Sequence, residues 1–74
     1  MKLITFMKKL TTTKEVMFYT WTDEALERIN GFRNGAEAFY WICDNREYRD
    51  WIVEDFSVLK DASLFITIRK PASK

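Results

Sequence analysis

The 74-residue sequence predicts an α+β fold, and three observations carry that expectation. The runs Lys2–Leu10, Lys14–Trp21 and Leu64–Lys70 are rich in strand formers. Thr22-Asp23-Glu24 and Asp44-Asn45-Arg46-Glu47 carry helix-start chemistry ahead of apolar residues at helical spacing. Twelve aromatic side chains supply the burial area that a chain this short needs in the absence of disulfides. The expected order is an N-terminal β-hairpin, a helix, a possible third strand, a second amphipathic helix and a C-terminal strand. The helices pack on an antiparallel or mixed sheet. Residues 1–70 are expected to form the one domain and residues 71–74 a flexible tail.

For the hairpin, the polar stretch Thr11-Thr12-Thr13 between two strand-type runs reads as the connection. Setting Leu10 against Glu15 collects Ile4, Phe6, Leu10, Met17, Tyr19 and Trp21 on a face expected to meet the core. The opposite face then holds Leu3, Thr5, Met7, Lys9, Val16, Phe18 and Thr20. A three-residue loop would mix the two sets, so the first register is preferred.

The first helix is expected after Thr22, whose hydroxyl suits the free N–H groups of a helix start, with Asp23 and Glu24 complementing the dipole. Ala25, Leu26, Ile29 and Phe32 follow on one stripe. Either Asn30-Gly31 or Asn34-Gly35 can close it, since glycine accepts the left-handed conformation. Phe39-Tyr40-Trp41-Ile42-Cys43 is a continuous apolar run that suits a buried strand, the preferred reading of residues 36–43. A helix stays open there, because Asn34 and Glu37 have capping-box spacing.

Asp44 and Glu47 form a second capping box. Beyond it Tyr48, Trp51, Ile52, Phe56 and Leu59 fit an amphipathic helix, with Arg46, Asp50, Ser57 and Lys60 opposite and Val53 and Asp55 out of pattern. The final run alternates cleanly. Leu64, Ile66 and Ile68 take one side, and Phe65, Thr67 and Arg69 the other.

Composition narrows the chemistry. The sequence has no histidine, one cysteine and two glycines, so the usual general base, most metal-ligand sets and glycine-rich phosphate cradles are missing. Cys43 has no partner for an internal disulfide, which points to a reducing, cytoplasmic setting, and its apolar neighbours lead us to expect it buried. Lys2 ahead of apolar residues resembles the start of an export signal, but the run ends at Lys8-Lys9. No apolar stretch approaches the length of a membrane span, so no membrane is expected to be involved, and the missing ligand and cradle residues lead us to expect no cofactor. The acids around Asp50, Glu54 and Asp55 fit a solvated face better than a metal site.

The formal net charge is +1, yet residues 1–22 hold four lysines against Glu15, while residues 23–61 hold ten acids against five bases. With two helices on one sheet face, the other face is expected to expose apolar side chains. The residues expected to meet a partner are Leu3, Thr5, Met7, Lys9, Val16, Phe18, Phe65 and Arg69. An alternative surface is the acidic face with Glu47, Asp50 and Glu54. The function expected is a small, non-enzymatic protein-binding domain that masks a surface of a larger protein, in the manner of inhibitors encoded by viruses or mobile elements. The alternatives are a single-stranded nucleic-acid-binding module using a basic aromatic sheet face, and a homodimeric structural module.

Overall fold

In a computed structural model, which describes residues 1–10 and 12–71, the chain runs α1 (Leu3–Lys9), β1 (Val16–Trp21), β2 (Leu26–Phe32), α2 (Gly35–Asp44), a 3-10 turn (Arg46–Tyr48), β3 (Ile52–Val58) and β4 (Leu64–Arg69). The α+β class, the two helices, and the mixed sheet with a hairpin followed by a helix and further strands are as the sequence predicts. Which segment becomes which element differs in four places.

The sheet order is β2-β1-β4-β3, with a central parallel pair and antiparallel partners on both flanks. Val16 lies beside Leu64 and Phe18 beside Ile66, so these side chains share a face with Ile68. Both helices cover that face. Leu3, Ile4 and Met7 of α1 and Ala38 and Ile42 of α2 join the strand residues in one buried cluster. The alternation of β4 is realised as expected, with Leu64, Ile66 and Ile68 inward.

Lys2–Leu10, expected as a strand, is mostly helix. Leu3, Ile4 and Met7 are buried and Phe6 and Leu10 pack against them, a helical stripe that draws on both of the alternating sets read from the sequence. A seven-residue helix has little stability of its own, so burial of this stripe selects it, helped by Lys8 and Lys9 at the negative end of its dipole. Only the start is extended: Val53 N–H donates to the Met1 carbonyl (2.8 Å) and Leu3 N–H to that of Trp51 (2.7 Å).

The segment after Thr22, expected as a helix, is strand β2. The Thr22 hydroxyl accepts from the amides of Ala25 (3.1 Å) and Glu24 (3.3 Å) and donates to the Ala25 carbonyl (2.9 Å). Hydroxyl-to-amide bonding of the kind that caps a helix here closes a hairpin turn between Trp21 and Leu26. The spacing of Ile29 and Phe32 comes from a β-bulge. Phe18 pairs with Asn30 and Tyr19 with Arg28, so Ile29 is extra and packs on the core with Phe32.

Residues 36–43, for which the strand was preferred, belong to α2. The Asn34 side chain accepts from Glu37 N–H (2.9 Å), and the Glu37 carboxylate accepts from Arg33 N–H (3.2 Å). Asn34-Gly35 therefore starts a helix instead of ending one. Gly35, Ala38 and Ile42 form its buried stripe, and Cys43 is exposed, contrary to the expected burial, because it lies one position past that stripe.

The second expected helix is absent, and Ile52–Val58 is strand β3. Asp44 and Glu47 do not cap a helix, because α2 closes there with the backbone and side-chain N–H groups of Asn45 both donating to the Trp41 carbonyl (2.9 Å each). A second bulge, between Val53 and Asp55, puts Val53 and Phe56 on the same side at helix-like spacing. Of the expected hairpin connection, Thr11 lies outside the described residues, as do residues 72–74 of the expected tail.

Candidate functional site

The face of the sheet opposite the helices has no covering element among the described residues. Its centre follows from the register of the parallel pair: Met17 beside Phe65 and Tyr19 beside Thr67, with Trp21 and Arg69 continuing the two rows. The rings of Tyr19 and Phe65 stack with centroids 4.1 Å apart and planes within 11°. Trp21, at the end of β1, is 63% exposed.

The flanking strands complete the surface. Across from β1, strand β2 contributes Leu26 opposite Trp21 and Arg28 opposite Tyr19. Gly31 lies opposite Met17, and the Arg28 guanidinium occupies the space that a side chain at Gly31 would fill. On the other flank Ser57 and Asp55 of β3 lie across from Phe65 and Thr67. Trp21, Leu26, Asp55, Ser57 and Phe65 wall a shallow concavity of about 390 Å³. Arg28 and Arg69 are balanced by Asp55 and by Glu54 at the bulge, so the surface is aromatic at its centre and mixed in charge at its rim.

Phe65 and Arg69 are the two residues of the expected partner surface that lie here. Leu3, Met7, Val16 and Phe18, expected near solvent, are in the core, because the helices cover the other face of β1 from the one anticipated. Thr5 and Lys9 are exposed on α1, on the helix-bearing side of the sheet. The alternative acidic residues are all exposed but do not share a helix: Glu47 is in the 3-10 turn, Asp50 follows it, and Glu54 is at the β3 bulge. Asp50 pairs with Lys2 at 3.4 Å, an exposed contact of small energetic weight.

Sequence reasoning missed Tyr19, Trp21, Met17 and Leu26 as surface residues. Both alternating sets of β1 are apolar, so alternation cannot say which faces in. A usable signal was the clean pattern of β4, whose polar side ends in Arg69; pairing β1 beside it in parallel places Tyr19 on that same side.

Among the described residues no group of three or more cysteine and acidic side chains gathers to hold a metal ion. The Asp61 carboxyl is held below the ordinary 3.8, first by the Ser63 N–H (3.0 Å) and then by the Ser63 hydroxyl, with desolvation opposing. It lies in the β3–β4 turn and organises backbone. No described helix is long and apolar enough to cross a membrane. Comparison of the chain with protein-family models, with curated proteins and with solved structures returned no match.

Proposed function

We propose that this domain is a non-enzymatic protein-binding module that docks on a larger partner through its uncovered sheet face. The observation that carries this reading is the stacked Tyr19–Phe65 pair with exposed Trp21 beside it, on the side of the sheet that neither helix covers. Aromatic side chains bring large contact area with few rotatable bonds, and interfaces concentrate them at a desolvated centre inside a polar rim. Arg28, Arg69, Glu54 and Asp55 supply such a rim. A module of this kind acts by occupying a surface. Masking of a partner in the manner of a small viral or mobile-element inhibitor is the mode we attach to it, supported by size and composition alone.

Single-stranded nucleic acid is the second reading, since bases also stack on exposed rings. The charges favour protein. Phosphate binding needs several cations acting together, and Lys8 and Lys9 sit on α1 across the sheet from the stack while acids match the arginines on the open face. Tryptophan emission, read in a Trp41→Phe/Trp51→Phe background so that it reports Trp21, separates the two. Titration with single-stranded polymer at low salt is expected to leave it unchanged, and a salt-sensitive quench would transfer the function to nucleic acid. For the protein reading, capture from lysate is compared between the wild type and a Trp21→Ser/Phe65→Ser double variant that still folds. A partner retained by the wild type and lost by the variant supports the assignment, and equal retention sinks it.

A further inference from the structure

We infer that the outer edge of β3 pairs with the same edge of a second copy, antiparallel about a two-fold axis at Ser57. This edge adjoins the open sheet face at Glu54 and Ser57, and the inference does not rest on the function proposed above. Strand β3 is the last in the sheet and bonds only to β4 along most of its length. Its beginning is covered, because Lys2 bridges to Ile52 and Val53 N–H reaches the Met1 carbonyl. From Glu54 onward no described strand lies along its outer edge.

The direction of the free backbone groups follows from the ladder. Leu59 N–H donates to Ser63 O at 2.8 Å, so alternation turns the groups of Ser57 and Asp55 toward β4 and those of Phe56 and Val58 outward. Phe56 agrees: its N–H meets the adjacent Asp55 carboxylate (2.8 Å), a local substitute for a strand partner. Exposed edges of this kind are templates for pairing.

A register centred on Ser57 satisfies this edge with itself. Phe56 of each copy lies opposite Val58 of the other, so the outward N–H and C=O groups of both residues exchange bonds across the axis. Glu54 then faces Lys60 of the second copy, which matches acid to base at both ends of the seam. Apolar area follows the same register. Phe56 is 52% and Val58 65% exposed, and both lie on the helix side, where Phe56 meets the ring of Phe6 at 5.3 Å. Next to them a groove of about 290 Å³ is lined by Met1, Phe6, Leu10 and Phe56, and the incoming Val58 is placed at its mouth. The other sheet edge does not offer this match. Strand β2 is interrupted near its middle by the bulge at Ile29, with the charged Glu27 and Arg28 beside it on opposite faces, whereas the bulge of β3 lies at the start of its free edge.

So short a seam implies a weak, concentration-dependent dimer in the micromolar range. Sedimentation of the wild type from low micromolar to near-millimolar concentration is expected to show reversible dimerisation. Val58→Pro removes an outward N–H without touching the β4 ladder, and association should weaken about tenfold or more. Ser57→Cys gives a second readout that does not depend on that variant folding. A non-hydrogen-bonded antiparallel pair sets the two Cα atoms ~4.5 Å apart, within disulfide reach. In a Cys43→Ser background, mild oxidation should cross-link Ser57→Cys and leave a Glu27→Cys control on β2 largely monomeric. A wild type that stays monomeric near millimolar concentration, or cross-linking no faster than the control, overturns the inference and leaves the edge to an extended segment of another protein.

Discussion

Ala62 has φ of 71°, the one left-handed non-glycine residue described. The reason is the hairpin between β3 and β4: Ala62 N–H donates to Leu59 O (2.9 Å) and Leu59 N–H to Ser63 O (2.8 Å), a three-residue loop whose last member must turn left-handed. Alanine tolerates that region poorly, whereas glycine enters it without penalty. Ala62→Gly should therefore raise stability by up to about 1 kcal/mol, less the added freedom of the unfolded chain, as read by urea denaturation. One residue earlier, the Asp61 carboxylate accepts the Ser63 N–H, and its folded titration lies below the ordinary 3.8. A depressed carboxyl stabilises the folded state fully above its unfolded value and loses that contribution as pH falls through the folded one. Asp61→Asn should thus flatten the acid limb of the stability curve below about pH 4 and leave neighbouring regions of it unchanged. The group is exposed, so the flattening is small.

Elements were legible where a local bond had one structural meaning and illegible where it had two. Leu64–Arg69 alternates without interruption and is a strand. Thr22 followed by acids reads equally as a helix cap or a hairpin turn, because both use a hydroxyl to hold nearby amides, and only the pairing of β2 with β1 decides. The bulge of β2 did comparable damage: by setting Ile29 with Phe32 it gave a strand an apolar spacing of three, which a periodicity argument assigns to a helix, whereas in β3 Val53 stands outside the helical pattern read there. The capping pair Asn34 and Glu37 was visible but outweighed by the aromatic run after it, a case of β propensity yielding to burial of Gly35, Ala38 and Ile42. Since Asn34 holds the start of the only described helix longer than two turns, Asn34→Ala should cost about 1 kcal/mol in urea unfolding and reduce helical ellipticity. Gly35→Val should cost about 1–3 kcal/mol, because a Cβ there already sits 3.1 Å from the Thr12 methyl and the larger side chain must displace the backbone beside it.

At the scale of the molecule, the sequence has more apolar residues than a one-sided sheet needs, and that surplus was readable from composition even though its location was not. The expected open face took Val16 and Phe18; the observed one takes Met17, Tyr19 and Trp21, because α1 replaces an expected strand and covers the former set. The two faces therefore make opposite demands on stability. Ile66 is wholly buried in the central strand pair between two helices and the sheet, so Ile66→Ala leaves a cavity that close neighbours cannot fill, at about 2–5 kcal/mol. A domain this small starts near the lower end of the usual ~5–15 kcal/mol, so that single change should leave a large unfolded fraction at 37 °C. Trp21 has more than half its surface in water and ends its strand, so Trp21→Ser should cost under about 1 kcal/mol while removing the largest ring of the open face. If urea midpoints instead fall equally for the two variants, the exposed rings belong to the folding core and the sheet has no face free for a partner.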